Sequence, residues 1–239
     1  MKYYFSLICI LSYFGTIAQG TITVKNGSIS SSSNYSNMDS YYNVKDGDVI
    51  VLNGETVGTP YLFDEFKMGS IYFNDDEIIS SVALKYNAYN DVFLAKPSLS
   101  SPDSEAQGVS KKNNLKIRLE NQFFLALPNT ENSYELQYYE VLSNGKKAIL
   151  LKKTDKIYKE RVAATTSLTR DIPAAFKDKI SYYLVDSKGD FHEISTSKKK
   201  LLALFGDKKK QMTECVKKNN LNVKKEEDLI RLFRFYETL

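Results

Sequence analysis

YELQYYEVLSNGKKAILLKKTDKIY, running from Tyr134 to Tyr158, is the stretch on which the fold turns. Two long runs rich in Tyr, Leu, Ile and Val are interrupted at Asn144-Gly145. That dipeptide suits a two-residue type I′ hairpin, because Asn tolerates positive φ and Gly adopts it freely. Such a turn predicts Val141 opposite Ala148, Tyr139 opposite Leu150 and Tyr138 opposite Leu151. Successive strand residues point to opposite faces, so Leu150 and Leu151 each require cover. The expectation is a ribbon packed on both sides.

The same grammar extends in both directions. Short apolar runs separated by turn dipeptides read as strands at Tyr41–Lys45, Asp48–Leu52, Ser70–Phe73, Glu77–Tyr86, Asp91–Lys96, Leu115–Leu119 and Gln122–Leu127. Their punctuation is Asp46-Gly47, Asn53-Gly54, Asp75-Asp76, Asn87–Asn90 and Glu120-Asn121. In the strand ending at Tyr86, the set Ser80, Val82, Leu84 and Tyr86 is assigned to the core by its alternation. Residues 97–114 are poor in apolar side chains and read as a long loop, mobile or functional. After the ribbon, Pro173–Phe176 reads as a short helical turn with Asp171 as its N-cap. Ile180–Val185 and Asp190–Ile194 then form another hairpin across Ser187-Lys188-Gly189.

At Thr196 the apolar period changes from two to 3.6. Ser197 is placed to cap a helix carrying Leu201, Leu202, Leu204 and Phe205, stopped at Gly206. Asp207 precedes a second helix with Met212, Cys215, Val216 and Asn219 on one face. A third, from about Lys224 to Tyr236, carries Leu229, Leu232, Phe233 and Tyr236. The expected fold is therefore α+β: an antiparallel β-meander or rolled sheet of about ten to twelve strands, with C-terminal helices packed on it.

Composition bounds the rest. A hydrophobic content of 42% with 26% charged residues belongs to a globular chain. Lys2, the apolar run Tyr3–Phe14 and the small residues before Gln19 form a secretory signal peptide, too short for a membrane span. The expected division is 1–19 signal peptide, 20–40 flexible Ser/Asn-rich leader, 41–196 antiparallel β domain, and 197–239 helical segment packed on the sheet. The leader holds two N-x-S sequons, at Asn26 and Asn34. Once the signal is removed Cys215 is the one cysteine, so no internal disulfide supports the fold, and it reads as a buried helix residue.

Chemistry is hard to assemble from these residues. His192 is the single histidine, so neither a His-based metal site nor a Ser-His-Asp triad has a second supporting signature. Asp64-Glu65 and Asp75-Asp76-Glu77 supply acids for glycoside hydrolysis only if two of them meet across a cleft; as sequence, 75–77 is a polar turn. The Tyr doublets 41–42, 138–139 and 182–183 fit cross-strand aromatic pairing before sugar stacking. Catalytic residues, cofactor ligands and metal ligands are accordingly assigned to none, and no cofactor is expected. From Lys198 onward twelve cations face six acids, a net of +6, which reads first as solvated helix faces.

PYLFDEFKMGSIYFNDD (60–76), VALKYNAYNDVFLA (82–95), YYEVLSNGKKAILLKK (138–153) and the ending KKKLLALFGDKKK (198–210) with LIRLFRFYETL resemble uncharacterised exported proteins of Bacteroidetes-type bacteria. The signal ending Thr16-Ile17-Ala18-Gln19 looks like theirs too. The resemblance implies export and no particular activity; a helical rather than β-rich C-terminus favours the periplasm or inner envelope surfaces over secretion. The expected function is a non-enzymatic exported envelope protein that binds a protein or glycan partner through its sheet or the 97–114 loop, without nucleic acid and without a transmembrane segment in the mature chain. Two alternatives stand beside it: a carbohydrate-active enzyme using acidic residues, and a basic-tail binder of anionic surfaces.

Overall fold

The computed structural model describes residues 56–129, 135–166 and 170–239, together with the backbone of 22–25 and 28–31. The expected signal peptide, the sequon asparagines Asn26 and Asn34 and the strands expected at Tyr41–Lys45 and Asp48–Leu52 lie outside the described residues. The chain divides into two units, 1–39 and 40–239. In the first, β1 (Ile22–Lys25) pairs antiparallel with β2 (Ser28–Ser31).

The second unit is built on one sheet of eleven strands. These are β3 (Thr56–Val57), β4 (Lys67–Phe73), β5 (Asp76–Asn87), β6 (Val92–Lys96), β7 (Gln107–Gly108), β8 (Leu115–Leu119), β9 (Gln122–Pro128), β10 (Leu136–Asn144), β11 (Ala148–Lys159), β12 (Ala174–Asp186) and β13 (Phe191–Glu193). Their order is β7-β6-β5-β4-β8-β9-β10-β11-β12-β13, so two meanders are joined where β8 returns to pair with β4. All these pairs are antiparallel; β3 joins β12 in parallel. Gly69 sits at the β4–β8 seam. A Cβ there would come within 2.3 Å of the Arg118 carbonyl oxygen, so only glycine allows the approach.

Three local features differ from the sequence reading. The β4–β5 turn is Asn74-Asp75, both at positive φ (51° and 68°), with Phe73 paired to Asp76. In β5, Ser81 has φ 53° and the register slips between Gly69↔Val82 and Ile71↔Ile79. This bulge reverses the alternation, so Ile79 and Val82 are both buried while Ser80 and Ser81 are exposed. Pro173–Phe176 is not helical: β12 begins at Ala174, and the Asp171 carboxylate instead accepts the Ala164 N–H and pairs with Arg161. Twelve residues of β12 matched to β11 outweigh a local turn preference.

The 97–114 segment is a built loop. Asp103–Glu105 forms a 3-10 turn, Gln107–Gly108 is β7, and Val109 is fully buried. Buried Lys96 holds it by donating to the carbonyls of Leu99 and Ser101 and to Asp103.

Leu150 and Leu151 are each fully buried, on opposite faces of β11. Against Leu150, Ala148, Leu184 and Ile194 pack α1 (Lys198–Ala203), α2 (Lys209–Lys218) and α3 (Glu226–Glu237), through Leu201, Met212, Val216, Leu232 and Phe233 among others. Each such side chain removed from water stabilises the fold by roughly 1.5–3 kcal/mol. Against Leu151 lie Tyr139 and Val185, with Val141, Tyr183 and Phe191. The β10–β11 register nevertheless departs from the expected one. Val141 faces Leu151 and Asn144 faces Ile149, with a bulge between Val141 and Ser143. Neither Asn144 nor Gly145 has positive φ. The wider turn is shaped by Glu237 of α3, whose carboxylate accepts the N–H groups of Lys146, Lys147 and Ala148.

The roll closes through a loop. Pairing of β10 with β11 stops at Glu140↔Lys152, and beyond it β11 continues with β12 alone. The β5–β6 loop contacts both separated strands: the Ala88 carbonyl accepts the Lys156 N–H, and Asp91 accepts the Tyr138 N–H. Beneath it Tyr86 and Phe93 stack at 4.7 Å, and Phe93 meets Tyr138 and Phe124 edge-on.

Candidate functional site

Two constellations are candidates, one concave and one buried. The first is a groove of about 480 Å³ spanning the start of β8, the end of β9 and the feet of the β10–β11 turn. Its apolar lining is aliphatic: Leu115, Leu125, Ala126, Leu127 and Ile149. Its polar lining is Asn74, Asn114, Asn144, Asp75 and Lys116. Each asparagine is where a strand begins, ends or turns, because its side chain serves bends better than ladders. The Asn114 amide donates to Asn74 at 2.9 Å, and Lys116 pairs with Asp75 at 2.6 Å. Charge in the groove is thus mutually satisfied, leaving amide edges over a hydrocarbon floor. Such a surface is chemically suited to apolar contact and neutral hydrogen bonds.

The second is centred on Asp91, at φ 54°. Its carboxylate accepts from Tyr86 Oη at 2.5 Å, Lys153 Nζ at 2.9 Å, Lys111 Nζ at 2.6 Å and the Tyr138 backbone N–H. Lys153 also pairs with Asp155, and its side chain is only 4% exposed. Two carboxylates thus balance two ammonium groups, dry at Lys153 and partly open to water at Lys111 and Asp155. All four contacts on Asp91 come from different chain segments, so its chemistry is that of a fastener.

The buried phenols report on that dryness. Burial first, and then the Asp91 charge, push Tyr86 and Tyr138 well above the usual tyrosine range. Burial likewise raises Tyr139, and burial followed by a hydrogen bond to Glu226 raises Tyr182. The sign follows directly: folding holds these phenols neutral, so their stabilisation is complete below about pH 10 and is lost as pH rises above it. In an alkaline titration, these tyrosines should ionise only together with loss of the β circular-dichroism signal. Phenolate absorbance reaching the full tyrosine count of the titrated chain while the sheet persists would overturn the assignment.

The residues considered from sequence fall elsewhere. His192 is half-buried with Nε2 3.3 Å from Asp186, whose carboxylate is held below its usual range by the N–H groups of Asp190 and Lys188 and by His192. Cys215 is buried on α2 beside Asn219, and no hydrogen bond joins it to His192. Asp64 and Glu65 are exposed before β4, and Glu77 accepts from Tyr72. Of the five acids only Asp75 lines the groove. Tyr138 and Tyr139 are both buried, on opposite sides. Among the described residues no three His, Cys, Asp or Glu side chains are grouped to hold a metal, and no helix is long and apolar enough to cross a membrane.

Groove and fastener alike escape a reading of the sequence. Asn74, Asn114 and Asn144 are legible only as turn residues, and nothing local brings β8 beside the β10–β11 turn. For the fastener one signal exists: Lys153 follows Leu150-Leu151 inside an otherwise buried strand, where a cation needs a partner. Comparison with protein-family models, curated proteins and solved structures finds no match to this chain.

Proposed function

We propose that the chain is an exported, non-enzymatic protein of the cell envelope that binds a segment of a partner protein in the groove of its sheet. The observation that carries the reading is the groove's composition: an aliphatic floor of Leu115, Leu125, Leu127 and Ile149 under three asparagine amides. Aliphatic floors take apolar side chains, and amides match the N–H and C=O groups of an extended backbone. A sugar would call for an aromatic platform, and none of the lining residues is aromatic. Export rests on the sequence of residues 1–19 and on the resemblance to exported envelope proteins. The groove supports the reading better than the 97–114 loop, where Ser101 and Asp103 are spent on Lys96 and Ser98 on its neighbouring serines. A glycosidase would need two facing acids, and the groove offers Asp75 already paired with Lys116.

A photo-crosslinking residue at Asn114 or Asn144, both exposed, tests this in intact cells. It should yield a discrete crosslinked polypeptide that the same probe at Lys159 does not give. Capture of a glycan, or equal capture from all three positions, would refute the groove. Turnover of a glycan, ester or peptide panel by the purified chain would refute the non-enzymatic reading.

A further inference from the structure

The segment 198–225 carries ten lysines against two acids, Asp207 and Glu214, a net of +8 within 28 residues. Its apolar side chains are consumed by the core: Leu201, Leu202, Phe205, Met212, Cys215, Val216 and Val223 are all buried against the sheet or one another. That leaves the lysines outside. Lys198, Lys199, Lys200, Lys209, Lys210, Lys217, Lys218, Lys224 and Lys225 are exposed, and among the described residues none of these nine makes an ion pair. Lys208 alone is paired, with Asp207 at 3.4 Å. The acids that open α3 neutralise few of them. Glu226 is engaged by Lys152 and Tyr182, and Asp228 by the Asn222 N–H and Arg231; Glu227 remains.

We infer that this helical face docks the protein electrostatically on the anionic headgroups of a lipid bilayer. Three features favour a bilayer over a polyanionic chain. The cations are all lysines, compact point charges without the bidentate fork with which arginine reads individual phosphates or bases. No exposed aromatic lies in 198–225, so there is no platform for a base or sugar ring. The charges are spread over α1, both ends of α2 and the approach to α3, not along one groove. Every exposed large hydrophobic among the described residues is at Ile180 or earlier, so docking has no inserting wedge and depends on charge. A lysine near an anionic leaflet contributes on the order of 1 kcal/mol, and the attraction decays within a Debye length.

Co-sedimentation of the intact chain with vesicles tests this, independently of the groove. Vesicles containing phosphatidylglycerol should bind it, pure phosphatidylcholine should not, and raising salt from about 0.1 M to 1 M should release it as the Debye length shrinks from ~10 Å to ~3 Å. Replacing Lys209, Lys210, Lys217 and Lys218 together by Gln should weaken partitioning by on the order of a hundredfold or more with an unchanged melting temperature. The same number of changes at Lys159, Lys177, Lys179 and Lys188, exposed lysines of the strands and their turns, should leave most binding intact. Equal loss in both quadruple variants would reduce the effect to net charge and overturn the face. Indifference to phosphatidylglycerol, or tighter binding to heparin or duplex DNA than to vesicles of equal anionic charge, would overturn the bilayer as its partner.

Discussion

Asp91→Ala should lower unfolding stability by about 3–5 kcal/mol, the range for removing one partner from a buried ion pair. The carboxylate is the counter-charge for Lys153 and Lys111, the acceptor for the Tyr86 hydroxyl, and the acceptor for the Tyr138 N–H left unpaired where β10 and β11 separate. Alanine removes all four contacts at once, leaving buried Lys153 with Asp155 alone and the Tyr86 hydroxyl without its acceptor. The loss should also be coupled. Lys153→Met removes the stranded cation, so the double variant should recover stability relative to Asp91→Ala alone. Lys111, with a more exposed side chain, should cost less than Lys153 when changed to Met. Denaturant melts of the four variants give the cycle. A single Asp91→Ala variant as stable as the parent would mean that the loop does not close the roll. Should Asp91→Ala not fold at all, the ordering of the two lysine variants still decides the point.

That closure explains which parts of the fold were legible in the sequence. Period-two and period-3.6 patterning are local, so β4, β5, β6, β8 and β9 and the helices carrying Leu201, Met212 and Leu232 could be read directly, whereas the two-residue β7 lay inside a segment read as a long loop. Leu150 and Leu151, adjacent and apolar, announced a strand covered on both faces, and the helices provide one of those covers. What escaped depends on partners far along the chain. Asp91 is a turn residue to any local reading; apart from Tyr86, its partners lie 20, 47 and 62 residues away. The bulge at Ser81 leaves composition untouched while burying Ile79 in place of Ser80; Val82, Leu84 and Tyr86 stay in the core as read. Asn144-Gly145 has the chemistry of a type I′ turn, and a carboxylate some ninety residues later imposes another geometry. The groove shares this fate, since its rim joins Asn74, Asn114 and Asn144 from three separate turns or strand ends.

Glu237→Ala should destabilise the domain by about 2–3 kcal/mol, because hydrogen bonds to a charged group contribute about 1.5–3 kcal/mol and three are lost together. A glutamate in the last turn of a helix opposes the macrodipole, so its position there is unfavourable for α3 taken alone. Its return comes from the hairpin. The carboxylate accepts from Lys146, Lys147 and Ala148 at 2.9–3.1 Å, while Lys147 Nζ donates to the Tyr236 and Glu237 carbonyls at the same helix end. Turn and helix terminus thereby satisfy each other's unpaired groups. Gly145 makes room: a Cβ there would sit 2.1 Å from the Glu237 carboxyl carbon, so Gly145→Ala must expel the carboxylate from the turn. The two substitutions act on one contact, and the double variant should be scarcely less stable than Glu237→Ala alone. Glu237→Gln keeps the shape without the charge and should fall between parent and alanine. Fully additive losses would show that Gly145 is required by the turn's own backbone, and that α3 does not set the register of the β10–β11 hairpin.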